Sequence, residues 1–432
     1  LFLKEYINKV IESKSSSDFK SWVDHSAIAQ HVSEQIPNAR VEEWKNFRTN
    51  YLNEINWKIL SKESSKKNNS TNGLKIPANA VVFIDGYYNP GLSSADKKEG
   101  INVYSVEDYL RVNPELKKNF YNSPSKYAEN RLSGSIDKKP TYFLSLNCLL
   151  SSGIVIEVER GIKIEEKIDL IHVFTDDASE AIINPYVNII SKEKSEVCFQ
   201  EVFYNMNCWV NHLTEVFIEK KAKVKFSRFQ RKIMSGIKTS SLNFHLEEEA
   251  ELDLKVINRE KCKEDIRVFL NKDSSSVKIA GLILSNKKND SDVFCKIVHR
   301  GKLSISEQKW RLISAENGKT AINGKICVNK NAKGSDANFY SKSLVLDQKA
   351  TSFSKPELEI LEDEVKCKHG ASFGELDNQS LFYMQSRGIQ KEEAIMMLIY
   401  AFIEEIGLNS KSNENLGHNI VNDFFKEIKE SE

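Results

Sequence analysis

The residues best placed to do chemistry are a cysteine and a histidine two positions apart, Cys367 and His369. They sit where the pattern changes from extended to helical. Leu358, Ile360 and Val365 belong to strand-like runs, and from Asp377 onward Leu381, Met384 and Gln385 recur at helical spacing. In a strand, residues i and i+2 face the same way, so Cys367 and His369 project together while Lys366 and Lys368 point oppositely. A thiol beside an imidazole is half of a site for a soft metal. The other six cysteines (Cys148, Cys198, Cys208, Cys262, Cys295 and Cys327) lie in or beside strand-like runs and read as small buried hydrophobes. His172, His212, His245 and His299 are interspersed among strands at spacings that match no short ligand motif, and read as structural or exposed. Seven scattered cysteines without a C-x-x-C pair fit a reducing compartment rather than a disulfide framework. The nearest approach to a phosphate-binding loop, Gly318-Lys319-Thr320, has Ile313 where the upstream glycine belongs, so no nucleotide site of the chain's own is expected.

The elements that must position this pair come from the rest of the 432 residues, more than one core ordinarily uses. A balance of 62 basic and 61 acidic residues gives a net charge of +1 and no footprint for nucleic acid. No apolar run approaches 18 residues; neither a membrane span nor a signal peptide is expected, and the location is read as cytoplasmic. Residues 1–73 read as a helical region and a polar linker, with Trp44 anchoring a surface helix. Residues 74–140 are mixed, with Val81–Ile84 a short strand stopped by Asp85-Gly86. Residues 141–375 read as strand after strand with an internal repeat: a strand ends, four to six polar residues follow, and an alternating strand opens, at Val197, Val224, Leu252 and Val277, spaced 27, 28 and 25 residues apart. A weaker instance opens at Ile168, and Val345 to Phe353 reproduces the turn. The period is short for a propeller blade and fits the coil of a parallel β-helix, with the four opening residues in one inward column. Glu247-Glu248-Glu249 falls on one of the solvated turns. Residues 376–432 read as helical. Asp377 and Gln390 are the expected caps and Gly388 and Gly407 the stops, while Ala394, Met397, Leu398, Ala401, Phe402 and Ile406 form the packed stripe, widened by Ile399, Tyr400 and Ile403.

The stretch Pro356, Leu358-Glu359-Ile360, Val365, Cys367, His369-Gly370-Ala371, Leu381-Phe382-Tyr383 and Ser386-Arg387-Gly388 closely resembles the SufB/SufD family of the SUF iron–sulfur cluster assembly system. Arg40 with Glu43-Trp44-Lys45 resembles an early segment of the SufD branch, and Gly370 stands where the SufB branch usually has glutamate, so the resemblance favours SufD. Lys368, Ser372, Phe373 and Asp347 depart mildly from the common pattern.

The resemblance implies a mainly β fold, a right-handed parallel β-helix flanked by N- and C-terminal helical regions. It implies a non-catalytic scaffold subunit that pairs with a SufB-like subunit, admits a homodimer when alone, and binds the SufC-like ABC ATPase through its C-terminal helices, with ATP hydrolysis left to that partner. His369 corresponds to a residue at the SufB interface, where a transient iron–sulfur cluster is shared, and Cys367 to a second family position with a less fixed role as ligand. A cluster takes four ligands, mostly thiolates, so with two residues here either a second subunit supplies the rest or the cluster is transient and open. Two readings compete: a SufB-like subunit, and a β-helix enzyme acting on polysaccharides, which would need clustered carboxylates on one rung face.

Overall fold

The computed structural model describes residues 44–52, 57–60, 74–114, 152–233, 236–259, 261–287, 289–408 and 416–429, with residues 55, 143, 146 and 147. Cys148, the expected helices before residue 44 and the linker at 61–73 lie outside these.

Early strands are β1 (Lys58–Ile59), β2 (Ala80–Ile84), β3 (Tyr87–Tyr88) and β4 (Ile101–Ser105), followed by helix α1 (Val106–Val112). Then come β5 (Ser152–Val158), β6 (Ile168–Val173), β7 (Ala181–Ile183) and β8 (Pro185–Ser191). The long strands are β9 (Glu196–Met206), β10 (Trp209–Ile218), β11 (Lys223–Ile233), β12 (Ile237–Leu246), β13 (Glu251–Arg259), β14 (Cys262–Leu270), β15 (Ser276–Ser285) and β16 (Asp290–His299). They continue as β17 (Ile305–Ser314), β18 (Lys319–Val328), β19 (Asp336–Val345), β20 (Thr351–Ile360) and β21 (Lys366–Gly374). Helices α2 (Asn378–Ser386), α3 (Lys391–Glu404) and α4 (Leu416–Lys429) close the chain.

From β9 onward odd-numbered strands stack on odd and even on even, every pairing parallel, which makes two sheets wound as one β-solenoid of about seven turns. The expected column is present: Val197 pairs with Val224, Val224 with Leu252, and Leu252 with Val277, all buried in one core. Ile168 differs. It lies opposite Phe199, two residues beyond the column, because the preceding coil is shaped by a separate bridge between Lys163 and Glu196. Most of these turns place a non-glycine residue in the left-handed region (Lys194, Lys221, Glu249, Ser274 and Leu303) just before a small buried residue, Ser195, Ala222, Ala250, Ser275 or Ser304. Left-handed backbone costs about 1–2 kcal/mol per residue. Here it is offset by a ladder: the N–H of Lys221 bonds Glu248 O, that of Glu249 bonds Asp273 O, and that of Ser274 bonds Lys302 O. The glutamates at 248 and 249 sit on such a turn and pair with Lys220 and Lys221 of the coil before.

The two ends differ. At the first end β2 carries the antiparallel β3 and β4 runs antiparallel to β5. Strand β2 ends as expected at Asp85-Gly86, both with positive φ. At the other end β20 and β21 are the last strands of their sheets. The outer face of the odd-strand sheet is covered by the C-terminal helices: Val202, Phe229, Ile257, Leu282 and Ile313 pack against Ile399, Ile403, Ile420, Val421 and Phe424. Asp377 caps α2 with its carboxylate, whereas Gln390 occupies the α3 cap position without a side-chain bond. The buried seam of α3 is Ala394, Ile399, Ile403 and, just past its end, Ile406. Met397, expected in the packed stripe, is 46% exposed. A sequence stripe cannot choose between neighbouring faces of a helix this apolar. Trp44 is buried against Phe143, with Lys263 over its ring, and so anchors the N-terminal segment to the even-strand sheet.

Candidate functional site at the open end of the solenoid

Parallel pairing carries the inward columns to the last rung. The column of Val197, Val224, Leu252 and Val277 continues through Ser306 and Ala337 and ends at Cys367. The next inward column, Phe199, Phe226, Leu254, Ile279, Gln308 and Phe339, ends at His369. The pair therefore shares a face, as i and i+2 on one strand should. Being on the inner face of the terminal rung, each residue has a buried neighbour below and nothing of the described chain above. Cys367 is half-buried and packs on the core, and His369 is exposed. Neither makes a hydrogen bond or ion pair among the described residues. Burial, reinforced by Asp336, pushes the Cys367 thiol up, so that a metal or a cation would have to draw off its proton before it could ligate.

The rim mixes ion-paired residues of β20, such as Lys355 with Glu357, with exposed apolar side chains. Phe353 and Ile360 on β20, Leu361 just beyond it and Phe373 on β21 are all exposed, Phe373 by 55%. Each edge strand presents unpaired backbone groups along one side, a template for a further strand. A second exposed apolar surface lies on the helices. Strand β21 leads directly into α2, which buries none of its residues and leaves Phe382 73% and Tyr383 59% exposed, with Met397 of α3 also open.

Deep in the solenoid lies a polar cluster that the sequence did not single out. Arg228 Nε donates to Glu201 Oε2 and its Nη1 to Glu264 Oε1, each at 2.7 Å. Lys238 pairs with Glu264 and donates to Asn258 Oδ1 at 3.2 Å. His172 and His212 approach Glu201 Oε1 through Nε2 at 3.0 and 3.1 Å. His172, Glu201 and His212 thus bring three ligand atoms within 4.8 Å of one another. The tautomer of His212 argues against a metal there. Arg228 Nη2 points at His212 Nδ1, and a guanidinium can only donate, so Nδ1 accepts and the proton sits on Nε2, close to Glu201 although poorly aligned with it. A protonated nitrogen cannot ligate. The cluster is charge-balanced, Glu201 and Glu264 against Arg228 and Lys238, with neutral imidazoles. Burial pulls His212 down to about 3, more than Glu201 raises it. Burial alone would raise the Glu201 carboxyl, but the Arg228 guanidinium holds it well below the usual range. The signal in the sequence was the alternation Val224, Phe226, Arg228, which puts the arginine inside.

Of the other cysteines, Cys208, Cys262, Cys295 and Cys327 are buried, Cys198 is half-buried, and all five are free thiols. His245 stacks between Phe217 and Phe269, and His299 bonds Ser304 and Ser306 through its two nitrogens. Gly318-Lys319-Thr320 enters strand β18 rather than a helix N-terminus. No described helix is long and apolar enough to cross a membrane.

Comparison with known proteins agrees with the motif. Residues 173–402 match the family model described as "SUF system FeS cluster assembly, SufBD core domain", and residues 2–170 match that of the "SufBD protein N-terminal region". The chain is 25% identical over 380 residues to the iron–sulfur cluster assembly protein SufD of Escherichia coli, covering 86% of this chain and 84% of that one. It is 28% identical over 341 residues to the chloroplastic protein ABCI7 of Arabidopsis thaliana, covering 76% and 69%. A SufBD family protein of Synechocystis is 22% identical over 389 residues, covering 86% and 83%.

Proposed function

The chain belongs to the SufBD family of the SUF iron–sulfur cluster assembly system, and from that premise we propose that it is a SufD-like, non-hydrolytic scaffold subunit. In this reading the open end of the solenoid pairs with a SufB-like subunit in the cytoplasm. Cys367 and His369 contribute to a nascent cluster, the cargo of the assembly, that spans the joint. The observation that carries the reading is that both residues end inward core columns at the uncapped end, half-buried or exposed and without partners. A cluster held there needs further thiolates from across the interface.

The exposed surface of α2 and α3 takes a SufC-like ABC ATPase, which supplies the hydrolysis. The division of labour follows the segments: 1–73 is an N-terminal region and linker, 74–140 connects it to the core, 141–375 forms the scaffold, and 376–432 docks the ATPase. Co-expression with SufB-like and SufC-like partners tests this. The chain should co-purify with both. Because Phe382 and Met397 are exposed, the F382D/M397D variant should fold normally, lose the ATPase and keep the SufB-like subunit. A wild-type chain that elutes alone would contradict the reading.

A further inference from the structure

The helices meet the solenoid through more than apolar packing. Near the C-terminal end of α3 the chain turns early: the Ile406 N–H bonds Ile403 O, which leaves the Phe402 carbonyl without its helical partner. Arg311 of β17 fills that place, its Nε donating to Phe402 O at 2.9 Å and its guanidinium lying 5.1 Å over the Phe402 ring. The same guanidinium pairs through Nη2 with Glu405, and Lys342 of β19 donates to the same carboxylate oxygen at 2.8 Å. Arg311 and Lys342 are direct cross-strand neighbours. A third cation, Lys255 of β13, reaches the Leu408 carbonyl at 3.3 Å. Three basic side chains from one sheet face thus hold the negative end of one helix, where cations are favoured. The Arg311 side chain is 5% exposed, so it cannot itself form part of a contact surface.

We infer that Arg311 and Lys342 are positioning residues that grip α3 through Glu405 and the Phe402 carbonyl, and so fix the angle at which α2 and α3 meet the ATPase. The inference rests on the assignment of that surface to the ATPase. Apolar contacts hold the helices down but permit sliding, whereas a bidentate guanidinium on a carbonyl and a carboxylate fixes rotation. Lys342 also sits on the strand beside β21, opposite Ser372, so the grip ties the helices to the rung that carries Cys367 and His369.

The test compares wild type, R311Q, R311K and E405Q as full-length chains, by ATPase affinity and thermal unfolding, at a temperature well below every Tm. A positioning role predicts that R311Q weakens ATPase binding about tenfold while a folded fraction near unity is kept. E405Q should weaken it by a smaller factor, and R311K should recover part of the loss because a cation still reaches Glu405. If R311Q lowers Tm but binds the ATPase as wild type does, the grip is only structural and the inference fails. If the wild-type chain itself does not bind the ATPase, the assignment of the surface fails, and the positioning role with it.

Discussion

Replacing Arg228 by methionine probes the physics that holds the solenoid together. The side chain is fully buried and joins Glu201 of the odd-strand sheet to Glu264 of the even-strand sheet. Methionine keeps much of the apolar stem but removes the guanidinium, whose carbon lies 5.9 Å from the Phe203 ring centroid and 6.0 Å from that of Phe226. The interior then holds two carboxylates and one ammonium. Removing one partner of a buried pair costs about 3–5 kcal/mol, because the other charge is left without compensation. For a chain longer than about 250 residues, roughly 2 °C of Tm corresponds to 1 kcal/mol, so R228M should unfold about 8 °C below wild type. The double variant R228M/E264Q restores the balance of charge, and it should unfold closer to wild type than the sum of the single variants implies. Scanning calorimetry of the four proteins completes the cycle. A Tm for R228M within 2 °C of wild type, or strictly additive losses, would refute the argument that the two ions compensate each other.

Acid should destabilise the protein well before its carboxylates titrate. Burial outweighs Glu201 at His212 and Asp336 at His299 and lowers them to about 3 and about 4, against 6.5 for a free histidine. As pH falls below 6.5 the unfolded chain takes up protons that the folded chain refuses, so stability declines. At pH 5 the loss is about 2 kcal/mol for each histidine. Below about 4.5 the depressed carboxyls of Glu201 and Glu264 add to it. Denaturant titrations at pH 7 and pH 5 that give equal stability would contradict this. Separately, a Cβ at Gly324 would lie 2.0 Å from the ring of Phe339, the residue beneath His369. The G324A variant should lose about 1–3 kcal/mol through overpacking, read as a lowered denaturation midpoint, and an unchanged midpoint would show that the ring can yield.

The column from Val197 to Val277 was legible because apolar alternation and polar turns repeat together, and the phase of a strand decides which side chains face inward. The same phase placed Cys367 and His369 on one face. What it did not reveal was that their columns end there, since an end is defined by the absence of a following coil. Ile168 was misaligned by two residues, because alternation fixes a strand's phase but not its register against a neighbouring coil of different turn geometry. The Glu201–Arg228–Glu264 cluster escaped notice because its members stand on separate strands and charged residues within strands ordinarily face water. The spacing places Met397 in the packed stripe of α3, but nearly every position there is apolar and only the docked sheet selects the buried seam.

The central claim is that the terminal rung is half of a shared cluster site, and His369→Ala tests it most directly. His369 is exposed and makes no bond within the described chain, so the variant should fold and assemble with its SufB-like and SufC-like partners. Iron and acid-labile sulfide are then measured after reconstitution of complexes matched for subunit composition. The account predicts that the H369A complex forms with wild-type stoichiometry and gains little or no cluster. A wild-type cluster yield from that complex would contradict it.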